Sequence, residues 1–199
     1  MATIEVQRPA TAGPTRNAAV VLAGPGGAGK TTFGALLAPR IGVPFLDLDH
    51  EFTARFGDIS HFLEHHGYEA YAARNVQLFI DTVAPGRSIG VIALSSGFMT
   101  YSPNVHPSYK GVRRAIIESP CTAILLPSFD VEVCVAETVR RQIQRPFGRS
   151  AEREEEVIRH RFGLYRALAV PQVETMRNSD DVVEDLLALA NRASAMAQR

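Results

Sequence analysis

Gly24-Pro25-Gly26-Gly27-Ala28-Gly29-Lys30-Thr31-Thr32 lies between a short apolar run, Ala18 to Ala23, and a helical pattern that begins near Thr31 and continues through Phe33, Leu36 and Leu37. Strand, glycine loop and helix in that order is the context a phosphate-binding P-loop requires. The glycines let the backbone curl until several N–H groups point inward at a polyphosphate. The helix N-terminus adds unpaired N–H groups and partial positive charge. Gly26, Gly27, Ala28, Gly29, Lys30, Thr31 and Thr32 are therefore the expected binding residues for a nucleotide triphosphate tail. Lys30 supplies a mobile cation for the outer phosphates, and the Thr31 hydroxyl suits Mg²⁺. Composition sharpens the case for Lys30. The chain has nineteen arginines and two lysines, Lys30 and Lys110. A compact ammonium stands where a planar guanidinium would not fit between phosphates.

The 199 residues fit one domain with a proper core. Twenty-one basic and twenty-one acidic side chains cancel, so no global basic field suits a nucleic acid. No run of eighteen apolar residues exists to span a membrane. Residues 1–17 carry Pro9, Gly13 and Pro14, lack the apolar core of a signal peptide, and read as a flexible leader. Cys121 and Cys134 sit in apolar surroundings and read as small core residues in a reducing cytoplasm. A cytoplasmic monomer or weak dimer, with neither a nucleic-acid nor a membrane partner, is the expectation.

Outward from the loop, strand and helix alternate, which predicts a parallel sheet with right-handed crossovers. Phe45 to Asp49 reads as a short buried strand. Asp47 and Asp49, two apart, would project the same way at its C-terminal end, the edge where open parallel sheets bind ligands. His50 to Val83 reads as helix broken near Gly57-Asp58 and Gly67. Within it, His61, His65 and His66 form a cluster that reads as a metal face or, with no third ligand type nearby, as a solvated helix face. Ser88 to Leu94 is a third strand ending in Ser95-Ser96-Gly97, and Cys121 to Leu126 a fourth. Phe98 to Lys110 reads as an irregular loop and Arg113 to Glu118 as a short helix. Asp130 to Gln144 and Ser150 to Tyr165 are helices around Pro146 and Gly148, and Val170 to Thr175 is a fifth strand. Ser179 caps a last amphipathic helix.

Taken together, these residues resemble the shikimate kinase family over nearly the whole chain after the leader. Gly24 to Thr32 is similar to that family's Walker A loop. Phe45-Leu46-Asp47-Leu48-Asp49 resembles its strand-two signature. Arg140 to Phe147 resembles its lid, and Arg161 with Tyr165 its arginine–tyrosine pair before the last strand. The resemblance implies an α/β fold, a three-layer α/β/α P-loop kinase with a five-stranded parallel sheet. Residues 18–199 would form the kinase domain, with a helical substrate-binding subdomain at 50–84 and a mobile lid at 140–156. It implies ATP and Mg²⁺, the metal served by Thr31 and Asp47, and lid arginines Arg141 and Arg145 on the nucleotide. It implies that Lys30, Asp49 and Arg145 carry catalysis, with Asp49 holding the acceptor hydroxyls and accepting a proton. Asp49, Ser96, Gly97, Arg161 and Tyr165 would bind a small hydroxyl-bearing acceptor, Arg161 gripping its carboxylate.

The departures from the family pattern fall on the acceptor side. Gly67-Tyr68-Glu69-Ala70-Tyr71-Ala72-Ala73-Arg74-Asn75 aligns with a segment that usually carries a second arginine clamp and a glutamate. Ala72 and Asn75 stand in their places. Arg74 is two residues along, about 200° around a helix, and would face elsewhere. Ser95-Ser96-Gly97 replaces a three-glycine stretch. Losing one of two charge-assisted clamps costs acceptor binding roughly 2–3 kcal/mol. Three readings follow: phosphoryl transfer to shikimate or a related polyhydroxylated carboxylate; transfer to a sugar acid, aminocyclitol or natural product; or a catalytically silent ATP-binding regulatory module.

Overall fold

A computed structural model of the protein describes residues 20–84, 90–143 and 151–196. The leader at 1–17, the start of the third expected strand, and Arg145 lie outside the described residues. Five strands make one sheet: β1 Val20–Ala23, β2 Phe45–Asp47, β3 Val91–Ala93, β4 Thr122–Leu126 and β5 Gln172–Glu174. All pairings are parallel, in the order β2-β3-β1-β4-β5. β1 sits at the centre, with Leu22 opposite Ala93 on one side and Ala123 on the other.

The seven described helices are α1 Lys30–Arg40, α2 Leu48–Phe56, α3 Ile59–Thr82, α4 Tyr109–Glu118, α5 Val131–Ile143, α6 Ala151–Arg166 and α7 Ser179–Met196. Strand alternation sorts the core into two layers. Val20, Leu22, Ala123 and Leu125 face α1 and α7, packing on Leu37, Val182 and Leu186. Val21, Ala23, Ile124 and Leu126 face the other way, onto Phe52, Val76, Ile116 and Tyr165. The result is the three-layer α/β/α arrangement with a five-stranded parallel sheet.

Several boundaries differ from the sequence reading, among them the last helix, where Asn178 rather than Ser179 caps by accepting the Asp180 N–H at 2.8 Å. β2 stops at Asp47 rather than Asp49, because the Asp47 carboxylate caps α2 by accepting the N–H groups of Asp49 and His50. α4 begins at Tyr109, inside the stretch read as loop. The buried Tyr109 ring anchors that turn: its hydroxyl donates to the Phe98 carbonyl at 2.6 Å and accepts from the Tyr101 N–H at 3.1 Å. Phe98–Thr100 within the same stretch is one turn of 3₁₀ helix. The breaks at Gly57 and Gly67 hold. Gly57 ends α2 at φ 85°, Asp58 caps α3 by accepting the His61 N–H, and Gly67 kinks α3 at φ 77°. Among the described residues no helix is long and apolar enough to cross a membrane.

Candidate active site

The loop after β1 is built from glycines because the chain leaves no alternative. Gly24 has φ 141°, and a Cβ there would lie 2.2 Å from the Leu125 carbonyl oxygen. Gly27 and Gly29 take φ 77° and 89°, which turn the chain into the N-terminus of α1. Lys30 opens that helix. Its ammonium donates to the Gly24 and Pro25 carbonyls, each at 2.8 Å, and is 8% exposed. Ala28 is fully buried, with its N–H turned back to the Pro25 carbonyl.

At the second residue of α1, the Thr31 hydroxyl donates to Asp47 Oδ2 at 2.5 Å. Asp47 thus does two jobs with two oxygens: Oδ1 caps α2, and Oδ2 meets Thr31 beside the loop. A hydroxyl next to a carboxylate is a hard-oxygen donor pair of the kind Mg²⁺ takes alongside phosphate oxygens and water. The residues present fit that ion. Among the described residues no group of three or more His, Cys, Asp or Glu comes together as a metal site. The histidine cluster does not converge. His65 bonds back to the His61 carbonyl and stacks on the His61 ring at 4.1 Å, while His66 lies on Phe62.

The end of α5 sits on the loop. Arg141 Nη1 donates to the Gly27 carbonyl at 2.7 Å and its Nε to Glu137 at 2.6 Å. The Gln142 amide fills the space where a Cβ on Gly26 would be, 1.7 Å away. Hydrogen bonds from Arg140, with one from Arg141 added, pull the Glu137 carboxyl down to about 2. A folded value below the unfolded one means that this carboxylate stabilises the fold above the ordinary 4.5. That contribution is lost as pH falls from there through about 2. In acid-unfolding titrations the stability gap between wild type and Glu137→Gln is expected to be constant above the upper value and to shrink below it. A gap independent of pH would contradict the pairing.

Asp49 lies in the first turn of α2, half-buried, and not on a strand. Its Oδ1 accepts from the Ser95 hydroxyl at 2.5 Å and the Tyr71 hydroxyl at 3.2 Å. Asn75 Nδ2 donates to Ser95 at 2.8 Å. Burial first, and the Asp49 charge second, push the Tyr71 phenol far above its ordinary value, so it stays a donor. Across the site, Arg161 on α6 donates to the Tyr68 hydroxyl at 3.0 Å, with Nη1 3.4 Å from the Ser96 hydroxyl. A single cleft of about 1400 Å³ runs from Gly26, Lys30 and Thr31 to Asp49, Gly97 and Arg161.

Two sequence expectations change here. Tyr165 does not face the cleft: it is fully buried and donates to the Ser96 carbonyl at 2.9 Å, so it supports the wall from behind. Ala72 is 1% exposed and packed in the core, so the cleft wall at this level of α3 is Tyr71. Arg74 does face elsewhere, over the Phe56 ring at 5.6 Å. The hydrogen-bonding roles of Tyr68, Tyr71, Asn75 and Ser95 were not foreseen. The spacing of the first three, at i, i+3 and i+7, puts them on one helix face and was the available signal.

Comparison with known proteins points to one family. A family model for shikimate kinase matches residues 26–191. The shikimate kinase of Thermobifida fusca (strain YX) is 30% identical over 172 residues, 84% of this chain and 91% of that protein. A solved structure of shikimate kinase from Acinetobacter baumannii in complex with shikimate superposes with a TM-score of 0.65 at 27% identity, covering 87% of this chain and 93% of that one. Shikimate kinase from Bacteroides thetaiotaomicron, at 21% identity and a TM-score of 0.66, shares the fold. A match that starts in the glycine loop and runs into α7 is more than a shared nucleotide motif, and it makes this chain a member of the shikimate kinase family, an ATP- and Mg²⁺-dependent phosphotransferase.

Proposed function

We propose that the protein transfers the γ-phosphoryl group of ATP to a hydroxyl of shikimate. The observation that carries this is the continuous cleft, with Lys30 and the glycine loop at one end and Asp49 and Arg161 at the other. Phosphoryl transfer needs alignment and charge neutralisation more than covalent help. The loop from Gly26 to Thr32 binds the triphosphate, and Lys30 neutralises its outer phosphates. Thr31 and Asp47 would hold Mg²⁺, which would supply further neutralisation of phosphate charge. Asp49 orients the acceptor hydroxyl and accepts its proton as the new ester forms. Arg161 pairs with the acceptor carboxylate, beside Ser96 and Gly97. Residues 50–84, which take in most of α2 and all of α3, form the acceptor-binding subdomain. Residues 140–156 act as the lid, Arg141 contacting the nucleotide and Arg145 closing on the transferring group. Closure excludes water, which would otherwise receive the phosphoryl group.

A single guanidinium clamp makes acceptor affinity depend heavily on Arg161. Arg161→Ala is expected to raise KM for shikimate about 10–100-fold while KM for ATP stays within about twofold. Steady-state kinetics with each substrate varied in turn checks it. An unchanged KM for shikimate would remove Arg161 from the site. The function itself is tested by coupled ADP release with and without millimolar shikimate; no stimulation would overturn it.

A further inference from the structure

We infer that Asn75, Ser95 and Tyr71 are positioning residues that lock the Asp49 carboxylate through Oδ1 and so present Oδ2 to the acceptor. This rests on Asp49 being the group that meets the acceptor hydroxyl. Ser95 and Asn75 are 1% and 0% exposed. A hydroxyl and a carboxamide at such depth are costly unless bonded. Their geometry gives them one consistent arrangement. Asn75 Nδ2 donates to Ser95 Oγ at 2.8 Å, and a serine hydroxyl has one proton to give. That proton goes to Asp49 Oδ1 at 2.5 Å, in preference to Asn75 Oδ1 at 3.2 Å. Tyr71 supplies a second donor to the same oxygen at 3.2 Å.

The chain of donors runs from the core outward. Asn75 polarises Ser95, which strengthens the bond Ser95 makes to Asp49. The carboxylate sits at the start of α2, where the Asp47 cap already fixes its backbone. Rotation of the side chain is then the remaining freedom, and two donors on one oxygen remove it. The wall that holds the carboxylate is made of residues from α3 and the segment just after β3, not from the phosphate loop. Its loss should therefore spare ATP binding and reach the chemical step alone. An orientation error of a fraction of an ångström at a reacting group is expensive in rate.

The test uses Ser95→Ala, the double variant Asn75→Ala/Ser95→Ala, and Tyr71→Phe, whose ring stays packed on Phe52 at 4.9 Å. Ser95→Ala is expected to lower kcat about 10–100-fold with KM for ATP unchanged. Tyr71→Phe should lower kcat about 2–10-fold. Adding Asn75→Ala to Ser95→Ala should cost little more, because Asn75 acts through Ser95. A kcat within about twofold of wild type in Ser95→Ala, or losses that multiply in the double variant, would overturn the inference. A second readout needs no turnover: the Asp49 ¹³Cγ resonance should move in Ser95→Ala and in Tyr71→Phe. A resonance that stays put overturns the network even if shikimate proves not to be the acceptor. Absence of shikimate-dependent turnover in wild type, with the resonance moving as stated, overturns the acceptor and leaves the network standing.

Discussion

Asp49→Asn is expected to lower kcat by ~10²–10⁴-fold and to leave ATP affinity within about twofold. The substitution is isosteric. An asparagine carbonyl oxygen can still accept from Ser95 and Tyr71, so the cleft wall survives. What disappears is the charge and the second acceptor oxygen. An amide cannot take the hydroxyl proton, and it draws the acceptor hydroxyl less strongly towards the line of attack. Asp49 bonds the acceptor wall rather than the glycine loop, so nucleotide binding should not register the change. Rapid-quench measurement of the chemical step separates this from slow product release. A rate within about threefold of wild type would mean that another group receives the proton.

Lys30→Met should cost ~10²–10³-fold in kcat/KM for ATP. Methionine keeps the apolar stem, which matters because the side chain is 8% exposed and an alanine would leave a void at the root of α1. The ammonium is held at the loop by the Gly24 and Pro25 carbonyls, so it is already in place when phosphate arrives and little ordering remains to be done. Removing it takes the cation out of the loop itself, where the backbone N–H groups and the helix terminus remain. Nucleotide titration and turnover are both expected to fall; a variant binding ATP normally would contradict the reading of residues 24–32.

The glycine loop was legible because its constraints are local. Positive φ at Gly27 and Gly29, a strand before and a helix after leave few residue choices, and each shows in the sequence. The sheet was legible for the same reason: short β-branched and leucine runs separated by helical periods. Asp49 was legible in position but not in element. Asp-Leu-Asp fits a strand end by alternation and a helix start by capping, and what decides is the Asp47 carboxylate reaching two N–H groups. The acceptor wall was the least legible part. Asn75 and Ser95 are 20 residues apart, and Ser95 and Asp49 are 46 apart. Such bonds exist only once α3 is packed on the sheet, so a serine ending a strand and an asparagine inside a helix look unremarkable beforehand. Tyr165 misled for a related reason, since the sequence marks its place in α6 but not which side of that helix meets the core. Family membership separates a phosphotransferase from a silent nucleotide-binding module, which the motifs alone had left open.

The most direct test is ³¹P NMR of the purified protein incubated with ATP, Mg²⁺ and shikimate. A phosphomonoester resonance growing in step with ADP, absent without shikimate and abolished in Asp49→Asn, is the expected result. ADP accompanied by inorganic phosphate alone, at the same rate with and without shikimate, would contradict transfer to that acceptor.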